Sequence, residues 1–379
     1  MGDKGSIFIS AGDPSADFPG KNLIDEIRRA CPEVDFYGLG GPLMQASGMT
    51  PLADHHRLAV MGFWEVMPQM LFFRRLLAEA ARQIEKRRPK VIILVDYPGF
   101  NLRLAARVKH LGIPIVYYIS PQVWAWGKRR IVAIRKLVDL MLVIFPFEEE
   151  FFATRGIPAR FTGHPLVDRY RSHPDKATCR EQLGCAGEAP VIALLPGSRV
   201  QEVARILPVM VRAADLLPTR ITAAKFYVAA AEGVPRELYQ RLIGSRPITI
   251  LEGKTPALIK SADCAVITSG TATLEAAYFG TPLVVVYKTG WLTYQIARRL
   301  VAIDAIGMVN IVAGRRIVPE LIQHQATGEA IADEVAAIMG NQALYAQMVA
   351  ELGRVRELLG SGNAGRQAFE ALCSAVSLC

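Results

Sequence analysis

The 379-residue chain lacks the cysteine spacing of a zinc or thiol-redox motif, because none of its six cysteines forms a C-x-x-C pair. Cys31, Cys179, Cys185, Cys264, Cys373 and Cys379 are scattered, as suits a reducing cytoplasm. No D-x-D and no H-x-x-x-H pair occurs anywhere, so neither a metal nor a cofactor is expected. No uninterrupted apolar run reaches the length of a membrane span. Met1 to Ser6 is polar, without the apolar stretch of a signal peptide. The expectation is a soluble or peripheral protein. Repeats and low-complexity tracts are absent. With 51% hydrophobic and only 21% charged residues, a disordered chain is excluded.

The length is more than one compact core needs and fits two α/β domains. The net charge of +9 lies mainly in the N-terminal half. Such a surface suits nucleic acid, anionic lipid or a phosphorylated ligand, and charge alone does not choose. In the first half, Ile7–Ser10, Val91–Tyr97, Ile113–Ile119 and Leu140–Phe145 are continuous apolar runs separated by helical patterns. Strands buried on both faces of a parallel sheet read this way. The pattern restarts at Val191–Leu195, then Lys225–Ala229, Ile248–Leu251, Cys264–Thr268 and Leu283–Tyr287. Two doubly wound domains are predicted, residues 1–168 and 169–340, with a hinge between Arg169 and Glu188. Helices over 341–379 close the chain and are free to pack back on the first domain.

Ligands of open α/β sheets bind beyond the carboxyl ends of the strands, so the loops there are the candidate site. Gly197, Ser198 and Arg199 follow one strand: a glycine for close backbone approach, a hydroxyl to cap the next helix, and a guanidinium fork suited to phosphate. Ser269, Gly270 and Thr271 open another helix, where free N–H groups and the helix dipole favour an anion. Glu275, one turn in, could accept from ribose hydroxyls or close a capping box. Two such turns in one sheet suggest a diphosphate. Asp96 ends the run VIILVDYPGFN; it could act as a general base or cap a helix begun near Asn101. Trp124 and Trp126 share a loop, where contact with a sugar or acyl chain competes with core packing. His164, before Pro165, suits a hinge; His55 and His56 read as structural.

The segment Met61–Leu77 carries Phe63, Trp64 and Phe72 among many other apolar residues, with Arg74 and Arg75 inside it and further bases after it. Its apolar surface is wider than a core-facing stripe. It suits shallow insertion into an anionic bilayer, with burial in the core or in a homodimer as the alternative.

Taken together, AGDPSAD (11–17), GLGGPLM (38–44), SPQVWAW (120–126), FPFE (145–148), GHPL (163–166), LPGSR (195–199) and TSGTATLE (268–275) occur in the order seen in lipid-A-disaccharide synthases. The resemblance runs from about residue 6 to about residue 325. It implies a GT-B fold, two Rossmann-like domains facing a cleft. It further implies an inverting, metal-independent glycosyltransferase of lipid A biosynthesis, working on the inner face of the cytoplasmic membrane. The implied substrates are UDP-2,3-diacylglucosamine and 2,3-diacylglucosamine 1-phosphate. Asp96 matches the family's essential acidic residue, Arg199 and Glu275 its nucleotide contacts, and Asn310 an asparagine near the diphosphate. Asp13 and Ser15 lie in the first motif, with possible acceptor contacts there. The chain departs from the family pattern at Asp13, where Glu is usual, at Ala16, where Gly is usual, and at Val309, where Pro commonly stands. The rival readings are a UDP-N-acetylglucosamine 2-epimerase-like enzyme and a noncatalytic lipid- or sugar-binding protein.

Overall fold

A computed structural model describes residues 5–53, 66–124, 128–185, 187–290 and 305–376. The chain divides into two compact units: residues 1–171 with 359–379, and residues 172–358. In the first, strands β1 (Ser6–Ala11), β2 (Asp35–Leu39), β3 (Met49–Pro51), β4 (Val91–Val95), β5 (Ile115–Tyr118), β6 (Leu140–Val143) and β7 (Ala159–Phe161) form one sheet. Its order is β3-β2-β1-β4-β5-β6-β7, with every pairing parallel. Strand order reverses between β1 and β4, the switch point at which such sheets leave room for a ligand.

Successive residues of a strand point to opposite faces, and here both faces are covered. Phe8, Ile92, Leu94, Ile115 and Tyr117 belong to one core. Ile7, Ile9, Val91, Ile93, Val95 and Val116 belong to the other. That is why these strands carry no polar alternation. Helix α1 (Pro14–Ala30) starts at Asp13, whose side chain accepts from the Ser15 N–H, and buries Leu23, Ile24 and Ile27. Helices α2 (Pro42–Ala46), α3 (Val66–Arg87), α4 (Pro98–Val108), α5 (Lys128–Leu137), α6 (Pro146–Ala153) and α7 (Pro165–Tyr170) complete the N-terminal part of this unit.

The second unit opens with α8 (Lys176–Gln182) and β8 (Val191–Leu195). After α9 (Val200–Leu216), β9 (Lys225–Ala230), α10 (Arg236–Ile243), β10 (Ile248–Glu252) and α11 (Thr255–Ser261) come β11 (Cys264–Thr268), α12 (Ala272–Phe279) and β12 (Leu283–Tyr287). Helix α13 (Met308–Ala313), β13 (Glu320–Ile322), α14 (Gly328–Gly340) and α15 (Gln342–Leu358) follow. The sheet order is β10-β9-β8-β11-β12-β13, again all parallel, with its switch point between β8 and β11.

The closing helices divide between the two units. Helix α15 packs on α12 and α13 within the second unit, and only the chain beyond it returns to the first. There α16 (Ala364–Ala375) lies along α1 and places Ala368 and Leu372 in the first unit's core. The Asp168 carboxylate accepts the N–H groups of Asn363 and Ala364, two donors at the start of α16. Among the described residues, no helix is long and apolar enough to cross a membrane.

Candidate functional site

In the first unit the candidate residues gather where β1 and β4 end. Asp96 and Tyr97, which follow β4, are both left-handed, at φ 47° and 49°. Such backbone is uncommon for residues with a side chain and persists only where the surroundings over-determine it. Here the Asp96 N–H donates to the Tyr118 carbonyl at 2.9 Å. Its carbonyl accepts from the Tyr117 hydroxyl at 2.6 Å and from Asn101 Nδ2 at 2.7 Å. Asn101 lies inside α4 rather than at its start, is fully buried, and receives the Ser10 hydroxyl at 2.7 Å on Oδ1. Tyr97 occupies the cap position of α4 without a side-chain bond, so Asp96 is not spent as a helix cap. A Cβ on Gly12 would lie 2.3 Å from the Tyr97 ring; glycine lets the two loops touch.

The Asp96 side chain is half-buried. Burial, and then the negative charge of Asp13, push its carboxyl up to about 6, against a hydrogen bond from the Tyr97 backbone. Asp13 itself holds the Ser15 N–H and hydroxyl, at 3.4 and 3.3 Å. Two carboxylates therefore share the switch point, one poised to exchange a proton near neutral pH.

Ile119, just after the neighbouring strand β5, is also left-handed at φ 63°, an outlier for a β-branched residue. Beyond it, Trp124 donates from Nε1 to Glu148 Oε1 at 3.0 Å. Glu148 is 1% exposed and also accepts from the Ser120 hydroxyl and the Ile144 and Phe145 N–H groups. Burial raises its carboxyl above the usual range. Trp124 meets Phe147 edge-on at 5.3 Å, and Phe147 stacks on Phe145. Glu148 thus ties two motifs together, a link the sequence reading missed; its place three residues after Phe145 at a helix start was the available signal. His164 caps α7 by accepting the Leu166 N–H on Nδ1, and burial pushes it down to about 4, so it is a neutral buried cap. The expected positions Phe63, Trp64, His55, His56 and Trp126 lie outside the described residues. Phe72 is half-buried against the first unit's core and meets Phe73 edge-on, so it is not a free apolar finger.

In the second unit, β8 runs into Gly197, at φ 114°, and then α9. Ser198 does not cap α9 with its hydroxyl; its N–H donates to Glu202 Oε2 at 3.0 Å, and Arg199 holds the cap position. A Cβ on Gly197 would come within 2.6 Å of the same carboxylate. Arg199 Nη1 lies 3.4 Å from Glu202 Oε1, and its side chain is 83% exposed, projecting from the helix start. The second turn, Ser269–Thr271, opens α12. Ser269 donates to the Ile306 carbonyl at 2.7 Å, while the space beside Gly270 is open and Thr271 is exposed. Glu275 stands half-buried on the first turn of α12.

Asn310 is buried on the first turn of α13. It is 1% exposed, its Nδ2 donates to Val318 O and Glu320 Oε1, and its Oδ1 accepts the N–H groups of Ile317 and Val318. An amide side chain has two donor and two acceptor places, and all are spent inside the protein. Its side chain braces this turn. Glu320 extends the brace by accepting the N–H groups of Ile306 and Gly307. Asn310→Leu strands these buried groups at about 1–3 kcal/mol each. The thermal midpoint should fall by at least about 8 °C; an unchanged midpoint would contradict the brace.

The lipid-A-disaccharide synthetase family pattern matches residues 7–368. The lipid-A-disaccharide synthase of Myxococcus xanthus is 41% identical over 369 residues, 97% of this chain and 96% of that one. The chain belongs to the lipid-A-disaccharide synthase family. It is a glycosyltransferase of lipid A disaccharide synthesis. Among solved structures, UDP-GlcNAc 2-epimerase from Neisseria meningitidis bound to UDP-GlcNAc superposes with a TM-score of 0.66 at 13% identity, covering 97% of this chain and 99% of that one. The glycotransferase of kitacinnamycin gives 0.63 at 14% identity, covering 98% and 99%. These likenesses show the GT-B fold alone, which synthases and epimerases share; sequence identity to the synthases separates the two readings.

Proposed function

We propose that the enzyme transfers 2,3-diacylglucosamine from its UDP derivative to the 6-hydroxyl of 2,3-diacylglucosamine 1-phosphate, giving the β-1,6 disaccharide 1-phosphate and UDP. The observation that carries this reading is Asp96, a half-buried carboxylate at a switch point, raised to about 6 and not spent on capping. A base must be deprotonated at working pH yet still bind a proton in the transition state, and a value slightly below neutral serves both. Asp96 takes the hydroxyl proton as the oxygen attacks the anomeric carbon from the face opposite UDP. The bond from that carbon to the diphosphate oxygen breaks, the electron pair leaves with UDP, and configuration inverts. Charge then grows on the diphosphate. Arg199 and the open helix start of α12 supply donors for it, so the phosphates need no bridging metal. Glu275 is assigned to the ribose hydroxyls.

The substrates are acylated, so the enzyme works at the cytoplasmic face of the inner membrane. Arg74 and Arg75, exposed on α3, support that placement by suiting an anionic surface. Incubation of both lipid substrates with the enzyme in excess chelator tests the proposal. The expected result is disaccharide 1-phosphate and UDP in equal amounts, read by mass. Product that appears only when magnesium is restored overturns the metal-free chemistry; epimerised UDP-sugar without disaccharide overturns the transfer.

A further inference from the structure

The first unit carries a cavity of about 490 Å³ that no step above uses. Its apolar wall is Val123 and Trp124 from the loop after β5, Ile131 and Val132 from α5, and Phe151 from α6. Arg135 and Arg155 complete the lining. The volume is that of an ordinary small-molecule site. Val132 is 52% exposed. Arg155 lies 3.8 Å over the Phe151 ring and donates to the Phe151 carbonyl at 2.7 Å, which fixes its guanidinium beside the apolar wall.

Charge decides what the cavity suits. Arg82, Arg87 and Arg160 of the same unit each pair with a carboxylate. Neither Arg135 nor Arg155 has an ion pair with any described residue. An apolar wall of five side chains, beside two cations that no described carboxylate pairs, complements a molecule that is both acylated and anionic. The cavity is linked to the candidate site through one residue and one strand pairing. Its Trp124 is held by Glu148, and its loop leaves β5, the strand paired with β4, which Asp96 follows.

We propose that this cavity is an acyl-chain site: it holds one acyl chain of the phosphorylated acceptor, with Arg135 and Arg155 facing the acceptor's phosphate. The assignment rests on the transfer reading above and adds where the acceptor is gripped. Anchoring a chain beside β5 would present the sugar hydroxyl toward the strand ends and lower the acceptor KM, with little effect on the chemical step.

The test compares the full-length parent with Val132→Glu and with the double variant Arg135→Gln, Arg155→Gln, all assayed in neutral detergent micelles. Val132→Glu should raise the acceptor KM at least tenfold for a long-chain acceptor and leave it unchanged for a short-chain, water-soluble one. The donor KM and kcat should stay near those of the parent. The double variant should raise KM for both acceptors, because both carry the phosphate. An unchanged long-chain KM in Val132→Glu overturns the site, as does an equal rise for long and short chains. Loss of binding to phosphatidylglycerol vesicles with unchanged KM in micelles also overturns it, in favour of a bilayer contact. Equilibrium binding of a brominated acyl-glucosamine 1-phosphate, read by tryptophan quenching, separates the two claims. A parent that forms no disaccharide but binds this probe, with binding lost in Val132→Glu, refutes the transfer and upholds the cavity; a parent that binds none refutes the cavity.

Discussion

Asp96→Asn is expected to lower turnover by roughly 10²–10⁴-fold, the usual contribution of a positioned base. UDP affinity should be unchanged, since the proposed nucleotide contacts belong to the other unit. The substitution suits the local backbone. Asparagine tolerates left-handed φ, and the bonds that pin residue 96 run through its N–H and carbonyl, not its side chain. The parent should lose kcat/KM as pH falls through about 6, where the carboxylate protonates. Stability should move the opposite way. A carboxyl raised from 3.8 to about 6 favours the protonated folded form. Its stabilising contribution is fully present below the unfolded pKa and is lost as pH rises through about 6. Near pH 7 the charge therefore costs folding about 2–3 kcal/mol, and Asn should leave the thermal midpoint equal or higher. Asp13→Asn removes the neighbouring charge and should shift the acid limb of the parent's profile downward. Normal turnover in folded Asp96→Asn would remove Asp96 from the chemistry.

Arg199→Ala is expected to weaken UDP binding by about 10–150-fold by calorimetry, since a hydrogen bond to a charged group is worth roughly 1.5–3 kcal/mol. Transfer should slow as well, because the same contact stabilises charge growing on the leaving diphosphate. Folding should be unaffected: the side chain is 83% exposed and its contact with Glu202 is a long one at 3.4 Å. Unchanged UDP affinity would show that the turn after β8 does not hold the nucleotide.

Much of the fold could be read along the chain, for a specific reason. Strands buried on both faces lose their polar alternation, so β4, β5, β6, β8, β11 and β12 stood out as apolar runs. The edge strands β3, β7 and β13 are three residues each and gave no such signal. Asp35–Leu39 begins with an exposed acid and holds a glycine, which hid β2 although its remaining residues are buried. The site was legible in part. Asp96, Arg199 and Ser269–Thr271 could be named because a strand-end loop in an open α/β sheet is a place where ligands bind. Asn310 could not be judged that way. Its place in a family motif said nothing about Val318 and Glu320 filling its hydrogen-bonding capacity.

The sequence by itself determined the family, the strand and helix alternation, and which loops stand at the strand ends, because those depend on residue type and near-neighbour order. Tertiary structure alone decided what each side chain is free to do. Asn101 reaches Ser10 across 91 positions to help fix the turn at Asp96. Glu148 reaches Ser120 across 28, and α16 returns to lie along α1. Burial and hydrogen-bond saturation are sums over neighbours that only the folded chain brings together. They raised Asp96 toward neutral pH, filled the hydrogen-bonding capacity of the Asn310 side chain, and left Arg135 and Arg155 beside an apolar cavity without an ion pair to any described residue.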